Sequence, residues 1–241
     1  MPLPAFSPYA STVIAARSAA AQDQIELTLE ASDAALRAFR HPGQFCRVRA
    51  RSPQGELHEG IFALLSAPGE GRLRFLLRTP NPEGGEAASL LAHLPIGASV
   101  EATLPAGDGF DLPRAMGRDL YFLATGTAIA PVRAAVEVAL QERASFGHLR
   151  LDHGVRSDLH VAVGADLARF RAAGVDVHVH VSEPGPDGAI HGVRVQDAAL
   201  AAASDLGRAA FVVAGQSALV AELRREVAAR GGDPSLVLHN Y

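Results

Sequence analysis

The hydrophobic periodicity of the sequence changes near its middle, and this change constrains the fold more than any other feature. In the first half, apolar residues recur at every second position, as at Ile25, Leu27 and Leu29. In the second half, short apolar runs alternate with longer segments of helical periodicity. We therefore predict two domains with different sheets, residues 1–112 and residues 113–241.

Turns rich in proline and glycine, among them HPGQ, SPQGE and APGEG, separate the alternating runs of the first half. A second run, with Cys46, Val48 and Ala50 on its apolar phase, shows the same alternation. This pattern is typical of antiparallel strands that bury one face in a barrel or sandwich. One helix-like stretch, residues 87–94, interrupts the series before Pro95.

The second half follows a repeated strand–helix order, which predicts a doubly wound α/β domain around a parallel sheet. A chain of 241 residues is long enough to hold such a domain beside a β-domain. The predicted strands are residues 120–124, 149–155, 175–181, 209–214 and 236–239, and the predicted helices are residues 131–143, 195–203 and 217–230.

The basic and sulfur-containing residues exclude several kinds of chemistry. All 22 basic residues are arginines because the sequence contains no lysine. Schiff-base chemistry and a Walker A phosphate loop are therefore excluded. The single cysteine, Cys46, rules out an intrachain disulfide, a four-cysteine zinc site and a cysteine-ligated iron–sulfur cluster.

The net charge of −4, without a basic stripe interleaved with aromatic residues, argues against nucleic acid as a partner. No apolar stretch approaches the roughly 20 residues that cross a bilayer. The start, MPLPAFSPYAS, lacks the positive charge and the apolar core of a secretory signal. Together with the lone thiol, these features lead us to expect a cytoplasmic protein without a membrane span.

The segment LYFLATGTAIAPVR carries the clearest chemical signal in the sequence. An apolar strand runs into Gly126, which permits a tight turn and close approach of a ligand to the backbone. A helix then opens near Pro131, where the first turn needs no intrahelical donor. Free amides and the positive end of the helix dipole would favour a pyrophosphate here. A plain strand–turn–helix connection fits the same residues, so the spacing alone leaves both interpretations open.

Motifs along nearly the whole chain resemble those of the ferredoxin–NADP reductase superfamily, and they occur in the same order. They are HPGQF at residues 41–45, Phe62 with Ala63, residues 85–89, LPIGASVEATLPAGDGF, ATGTAIAPVR, GVRSDL at residues 154–159 and VVAGQSALV at residues 212–220. The resemblance implies an N-terminal flavin-binding β-barrel and a C-terminal pyridine-nucleotide domain. It also implies hydride transfer between NAD(P)H and a bound FAD. The electrons would pass to a separate protein or a small acceptor, since the single cysteine leaves no iron–sulfur module.

The resemblance also implies which residues bind the two cofactors. It requires no acid–base residue, because hydride transfer depends mainly on positioning. For the flavin, the implied residues are Phe62, Ala63, Leu64, Gly85, Ala88 and Ser89, with Tyr241 as an aromatic residue that stacks on the ring. For the nucleotide, they are Gly126, Thr127, Ala128, Pro131, Arg156, Gly215 and Gln216. A frayed C-terminus is the alternative for Tyr241.

Four positions depart from the family's pattern. Gly60 replaces the arginine that normally grips the flavin pyrophosphate, and Ala63 replaces the serine near the flavin. Ala128 replaces the second glycine of the nucleotide loop, and Ala214 replaces the cysteine at the hydride-transfer centre. Arg78 is our candidate to serve the pyrophosphate, although a solvated arginine on the strand face fits as well. These departures motivate the alternative of a non-catalytic or weakly active binding or electron-transfer subunit.

Ser182 and Glu183 stand where NADP-using relatives often carry a serine and an arginine. A carboxylate there would repel a 2′-phosphate and could accept a hydrogen bond from a ribose hydroxyl, so we favour NAD over NADP. Arg156 could still meet a phosphate, and Glu183 could equally be an exposed loop carboxylate.

Two further patterns point to other chemistry and are weaker. Ser217, Asp233 and His239 follow the chain order of a serine hydrolase, but too little chain separates Ser217 from Asp233 for a triad. His178 and His180 share one face of a strand. No further ligand is spaced to complete a metal site with them, so we predict none.

Overall fold

The computed structural model describes residues 4–80, 86–184 and 192–240. Its first sheet has six strands, and two short helices lie between them in the chain. The strands are β1 (Ala10–Ala21), β2 (Gln24–Leu29), β3 (Phe45–Arg51), β4 (Leu57–Ala63), β5 (Leu73–Arg78) and β6 (Ser99–Ala102), and the helices are α1 (Asp33–Ala38) and α2 (Ala87–His93).

The first sheet is antiparallel throughout and has the order β4-β3-β6-β1-β2-β5. Its two edge strands approach each other at an isolated bridge between Leu64 and Phe75, without a continuous ladder. The sheet is therefore barrel-like but not closed, which confirms the predicted antiparallel first domain.

The second sheet has five strands that alternate with four helices. The strands are β7 (Asp119–Thr125), β8 (Leu149–Val155), β9 (Asp176–Val181), β10 (Ala209–Ala214) and β11 (Val237–His239), and the helices are α3 (Ile129–Gln141), α4 (Gly164–Ala172), α5 (Val195–Ala202) and α6 (Ser217–Ala229). All pairs are parallel, in the order β11-β10-β7-β8-β9. The first and fourth strands of this domain are thus neighbours, as in a doubly wound sheet, and this prediction is also confirmed.

Buried apolar side chains join the two sheets. The largest hydrophobic cluster contains Leu65 and Leu76 from the first domain together with Phe122 and Ile129 from the second. Two hydrogen bonds add to this contact: the Gln24 side chain donates to the backbone oxygen of His160 at 3.0 Å, and the Asn240 side chain donates to that of Gly43 at 3.1 Å. Because burying apolar area is the main favourable term in such contacts, the cluster fixes the two domains against each other.

Cys46 lies in the first core and is fully buried. Burial raises the pKa of its thiol to about 12, so the side chain acts as a small hydrophobe and not as a nucleophile. Among the described residues, no helix has the length and apolar character needed to span a bilayer.

Candidate functional site

The site begins where the second sheet reverses its strand order. β7 and β10 lie side by side, with Ala124 opposite Ala214, and the chain turns away in opposite directions beyond them. In open α/β sheets the crevice outside the carboxyl ends of such a strand pair is where ligands bind. Thr125 and Gly126 follow one strand, and Gly215 and Gln216 follow the other.

The turn after β7 leaves main-chain groups available to a ligand. Gly126 has φ +53°, in the left-handed region that favours glycine, and residues Gly126–Ala128 form one turn of 3-10 helix. α3 begins at Ile129, two residues before the predicted start, so Pro131 lies within its first turn. No side chain caps this end of the helix. The uncapped amides and the helix dipole make the turn suitable for an anion.

A cleft of about 660 Å³ separates the two domains at this turn, a volume typical of cofactor sites. One wall comes from β4, β5 and the start of α2, and the other from the ends of β7 and β10. Ten of the predicted residues line it: Phe62, Ala63, Arg78, Ala88, Gly126, Thr127, Ala128, Pro131, Gly215 and Gln216.

The other predicted residues lie elsewhere. Leu64 is fully buried in the first core and does not line the cleft. Ser89 lies on α2, where its backbone oxygen is 2.6 Å from Nδ1 of His93. Arg156 lines a second cleft, described below. Gly85 and Tyr241 fall outside the described residues, so their predicted roles stay predictions.

The second cleft, of about 570 Å³, lies over the ends of β7, β8 and β9. It shares Thr125, Gly126 and Gln216 with the inter-domain cleft, so the two clefts join at the turn. Its polar lining comes from the strand ends, from α5 and α6 and from the residues just before these helices. These residues are Thr125, Arg156, His180, Ser182, Arg194, Gln196, Gln216 and Glu222.

Each arginine that lines the second cleft is paired with a carboxylate. Nε of Arg156 lies 3.1 Å from Oε1 of Glu183. Arg194 contacts Glu222 at 2.9 Å and Asp197 at 2.8 Å. The charges of these arginines are thus already balanced before any anionic ligand is bound.

Gly60 and Phe62 form a matched pair on the wall from the first domain. A Cβ atom at position 60 would lie 2.6 Å from Cζ of Phe62 and 3.3 Å from Cβ of Ala87. The missing arginine side chain thus leaves room for the aromatic ring to lie over the strand. Arg78 is the one charged side chain among the described residues that line this cleft.

An ion-pair network holds the turn against the first domain. Arg133, on α3, is almost completely buried and donates to Asp166 at 3.1 Å and to the backbone oxygen of Leu65 at 3.3 Å. It also pairs with Glu137 at 2.9 Å and with Glu70 of the first domain. Burial alone would raise the pKa of Asp166, but hydrogen bonds from Arg133 and its neighbour Arg169 bring that pKa below its ordinary value.

His153 supports the same turn from beneath. It lies on β8 with no exposed surface, and its Nε2 is 3.3 Å from the backbone oxygen of Gly126. Nδ1 is buried and has no partner in the described part of the chain. Burial lowers the pKa of His153 to about 4, although the contact with Gly126 opposes this shift. The imidazole is therefore neutral at physiological pH, with its proton on Nε2.

The other sequence patterns do not assemble into sites. Asp233 accepts a hydrogen bond from the backbone nitrogen of Ser235 at 2.8 Å, as a cap of a short 3-10 helix. His178 contacts Asp176 at 2.7 Å, whereas His180 contacts Asp152 at 2.8 Å. Within residues 4–80, 86–184 and 192–240, no group of three or more histidine, cysteine, aspartate or glutamate side chains could hold a metal ion.

Sequence reasoning missed several lining residues. Leu76, Leu77 and Asn240 line the inter-domain cleft, and His180 and Glu222 line the second. The pairing of β5 with β2, and not its local sequence, decides which of its leucines reach the cleft. The H-x-H pattern predicted that His178 and His180 share one face of a strand. It did not indicate that His180 lines a cleft.

Comparison with known proteins agrees with this geometry. Residues 122–225 match the family model of the oxidoreductase NAD-binding domain. No curated protein matches the sequence. The FAD/NAD-binding domain of a Vibrio cholerae nitric oxide dioxygenase is 15% identical with a TM-score of 0.77, over 95% of this chain and 97% of that one. A Neisseria gonorrhoeae ferredoxin–NADP⁺ reductase with bound FAD and NADP is 18% identical with a TM-score of 0.76, over 93% and 92% of the two chains. An Amycolatopsis cytochrome P450 reductase is 22% identical with a TM-score of 0.79, over 97% of this chain and 70% of that one.

At these identities the structural likeness concerns the fold. Both sheets are covered, and the family model adds sequence similarity across the nucleotide domain. The solved structures therefore show that the chain shares the two-domain fold of these reductases, and the family model identifies similarity to an oxidoreductase NAD-binding domain in residues 122–225.

Proposed function

We propose that this protein is a flavin-dependent oxidoreductase that transfers a hydride between NAD(P)H and a bound FAD. One observation carries the proposal: the inter-domain cleft and the second cleft join at Thr125, Gly126 and Gln216, beside the strand reversal. A flavin in the first and a nucleotide in the second would meet at that junction. The fold likeness to a reductase with bound FAD and NADP supports the same arrangement.

The residues of the inter-domain cleft fit an isoalloxazine ring. Ile61 and Phe62 supply apolar and aromatic surface on one wall, and Ala128 supplies apolar surface on the other. Arg78 would take the pyrophosphate in place of an arginine at position 60. A bound flavin would supply the hydride acceptor.

The protein's own residues would act by positioning and by excluding water. The Gly126–Ala128 turn would hold the nucleotide phosphates through main-chain amides, with the buried His153 fixing the Gly126 carbonyl behind them. Gly215 leaves room at the junction, since a Cβ atom there would lie 3.1 Å from Oγ1 of Thr125. No acid or base is needed, and the electrons would leave to a separate protein or a small acceptor.

The charges of the second cleft favour NADH as the donor. Arg156 and Arg194 are already paired with carboxylates, so among the described residues a 2′-phosphate would meet Glu183 and Glu222 without an additional arginine. A ribose hydroxyl carries no charge and avoids this repulsion. The lone buried thiol of Cys46 is consistent with the cytoplasm as the proposed location.

The visible spectrum of the purified protein, before and after incubation with FAD, tests the proposal. We expect a yellow protein, or a colourless one that takes up added FAD in one-to-one ratio. A colourless protein that takes up no FAD would contradict the flavoenzyme and favour the weakly active binding subunit. Equilibrium binding of NAD⁺ by calorimetry tests the nucleotide half separately.

A further inference from the structure

A buried carboxylate controls the imidazole at the far end of the second cleft. His180 lines this cleft, and its Nε2 lies 2.8 Å from Oδ1 of Asp152. Asp152 is fully buried and accepts two hydrogen bonds of 2.8 Å from the guanidinium of Arg150. A carboxylate held by a guanidinium in this way is ionised and can only accept. Nε2 of His180 must therefore carry a proton and donate it.

This hydrogen bond decides whether Nδ1 of His180 acts as a hydrogen-bond donor or acceptor. With its proton on Nε2, a neutral imidazole leaves a lone pair on Nδ1, which the described residues leave without a hydrogen-bond partner. That lone pair can accept from a hydroxyl group. When the ring gains a second proton, Nδ1 becomes a donor. The same atom then suits a phosphate oxygen.

The position of His180 in the cleft makes this difference relevant to the nucleotide. Hydride transfer requires the nicotinamide to lie at the junction of the clefts, near Thr125 and Gln216. The adenosine half then extends toward the end of β9, where His180 and Ser182 line the cleft. NADH carries a 2′-hydroxyl on that half, and NADPH carries a phosphate at the same oxygen.

Charged and titratable groups on every neighbouring element bear on His180. On β9, the His178 ring stacks on His180 with centroids 6.3 Å apart, and Asp176 binds His178. On β8, Asp152 accepts a hydrogen bond from Nε2 of His180 and is itself paired with Arg150. His153, on the same strand, lies close enough to His180 for this neighbour to help lower its pKa. The helices contribute Arg194 paired with Glu222, and the rim contributes Arg156 paired with Glu183.

We propose that His180 is a specificity-determining residue whose protonation state sets the choice between NADH and NADPH. In its neutral form it accepts from the ribose 2′-hydroxyl and favours NADH. In its protonated form it donates to the 2′-phosphate and admits NADPH. The inference rests on the proposed function, since it requires a pyridine nucleotide in the second cleft.

The experiment measures the binding of NAD⁺ and NADP⁺ to the holoprotein by calorimetry between about pH 8 and about pH 5.5, the range in which histidines change charge. The wild-type protein is compared with His180→Gln, which stays neutral throughout. The control is His148→Gln, a histidine just before β8 that lines neither cleft. The 2′-phosphate itself gains a proton in this range, and the comparison between variants removes that contribution.

We expect the ratio of the NADP⁺ and NAD⁺ dissociation constants to fall about tenfold further on acidification in the wild type than in His180→Gln. His148→Gln should follow the wild type. Equal pH dependence in the wild type and His180→Gln would overturn the role of His180 while leaving the proposed function intact. If neither nucleotide binds at any pH, both proposals fail. Circular dichroism of each variant checks that the fold is retained.

Discussion

The two walls of the inter-domain cleft differ in what they present to a ligand. The wall from the second domain consists largely of main chain and small side chains at residues 125–128 and 214–216, supported by His153 and Arg133. The wall from the first domain consists of larger side chains, chiefly Ile61, Phe62 and Arg78.

The difference explains which departures from the family's pattern matter. Backbone amides are present whatever the side chain, so the turn keeps its anion-binding geometry although Ala128 replaces a glycine. On the wall from the first domain, by contrast, Gly60 lacks the side chain with which an arginine would contact a pyrophosphate. Only another side chain can restore that contact. Apart from the glycine of the turn, side-chain substitutions should therefore affect nucleotide affinity less than flavin affinity.

The largest expected effect concerns His153, which supports the wall from the second domain. His153 has a pKa of about 4 in the folded protein against an ordinary value of 6.5. Between these values the unfolded chain binds the extra proton, so the free energy of unfolding falls as pH decreases. We expect a loss of about 3 kcal/mol from this residue between pH 6.5 and pH 4. Urea titrations at several pH values should show this loss in the wild type and in the control His178→Gln, and a loss smaller by about 3 kcal/mol in His153→Gln. If the free energy of unfolding depends on pH equally in the wild type and His153→Gln, the histidine is not buried as described.

The next effect concerns the turn itself. Gly126→Val places a β-branched side chain at φ +53° and at the junction of the clefts. We expect NAD⁺ affinity to fall about 30-fold, equivalent to about 2 kcal/mol. Gly231→Val is the matched control, since Gly231 also has a positive φ and open space around its Cβ position but lies far from the cleft. Similar losses of affinity in both variants would indicate general strain and not a role in binding.

A smaller effect, on FAD affinity, is expected at the wall from the first domain. Arg78→Ala should weaken FAD binding about tenfold, because it removes a charge-assisted contact to the pyrophosphate. Arg72→Ala, just before the same strand and outside the cleft lining, should leave the affinity unchanged. Fluorescence titration with FAD measures both. Unchanged affinity in Arg78→Ala would eliminate our substitute for the missing arginine.

The smallest effect tests the fit of Phe62 over Gly60. Gly60→Ala brings a methyl group against the Phe62 ring and should cost about 1 kcal/mol of stability through overpacking. Gly164→Ala provides the control, because a Cβ atom there would meet no atom within 4 Å. Thermal unfolding compares the two variants. If Gly60→Ala is as stable as the control, the ring moves freely and the wall is less well defined than described.

Most of the second domain could be predicted from the sequence. β10 is a continuous apolar run, and both β8 and β10 have the predicted limits. α4 was not predicted as a helix, because Leu167 and Phe170 are its only large apolar residues. The boundary between residues 112 and 113 stays a prediction, because Leu112 belongs to the cluster that joins both sheets.

The first domain was harder to predict. β1 consists largely of alanine and serine and is exposed over much of its length, so its alternation carries little signal. β4 has no fully buried residue and is defined by its pairing with β3. Strand pairing of this kind depends on distant parts of the chain, which local patterns do not encode.

The candidate site was predictable where it depends on local sequence. The turn at Gly126 follows from the order of strand, glycine and helix. The contact between His180 and Asp152 joins two strands, and spacing along one strand could not predict which carboxylate the imidazole would meet.

Anaerobic titration of the FAD-loaded protein with NADH, followed in the visible spectrum, tests the central claim most directly. We predict loss of the flavin absorbance with one equivalent of NADH, because the two clefts join where the hydride must cross. A protein that binds FAD and NAD⁺ yet keeps its flavin oxidised in the presence of excess NADH and NADPH would contradict the account.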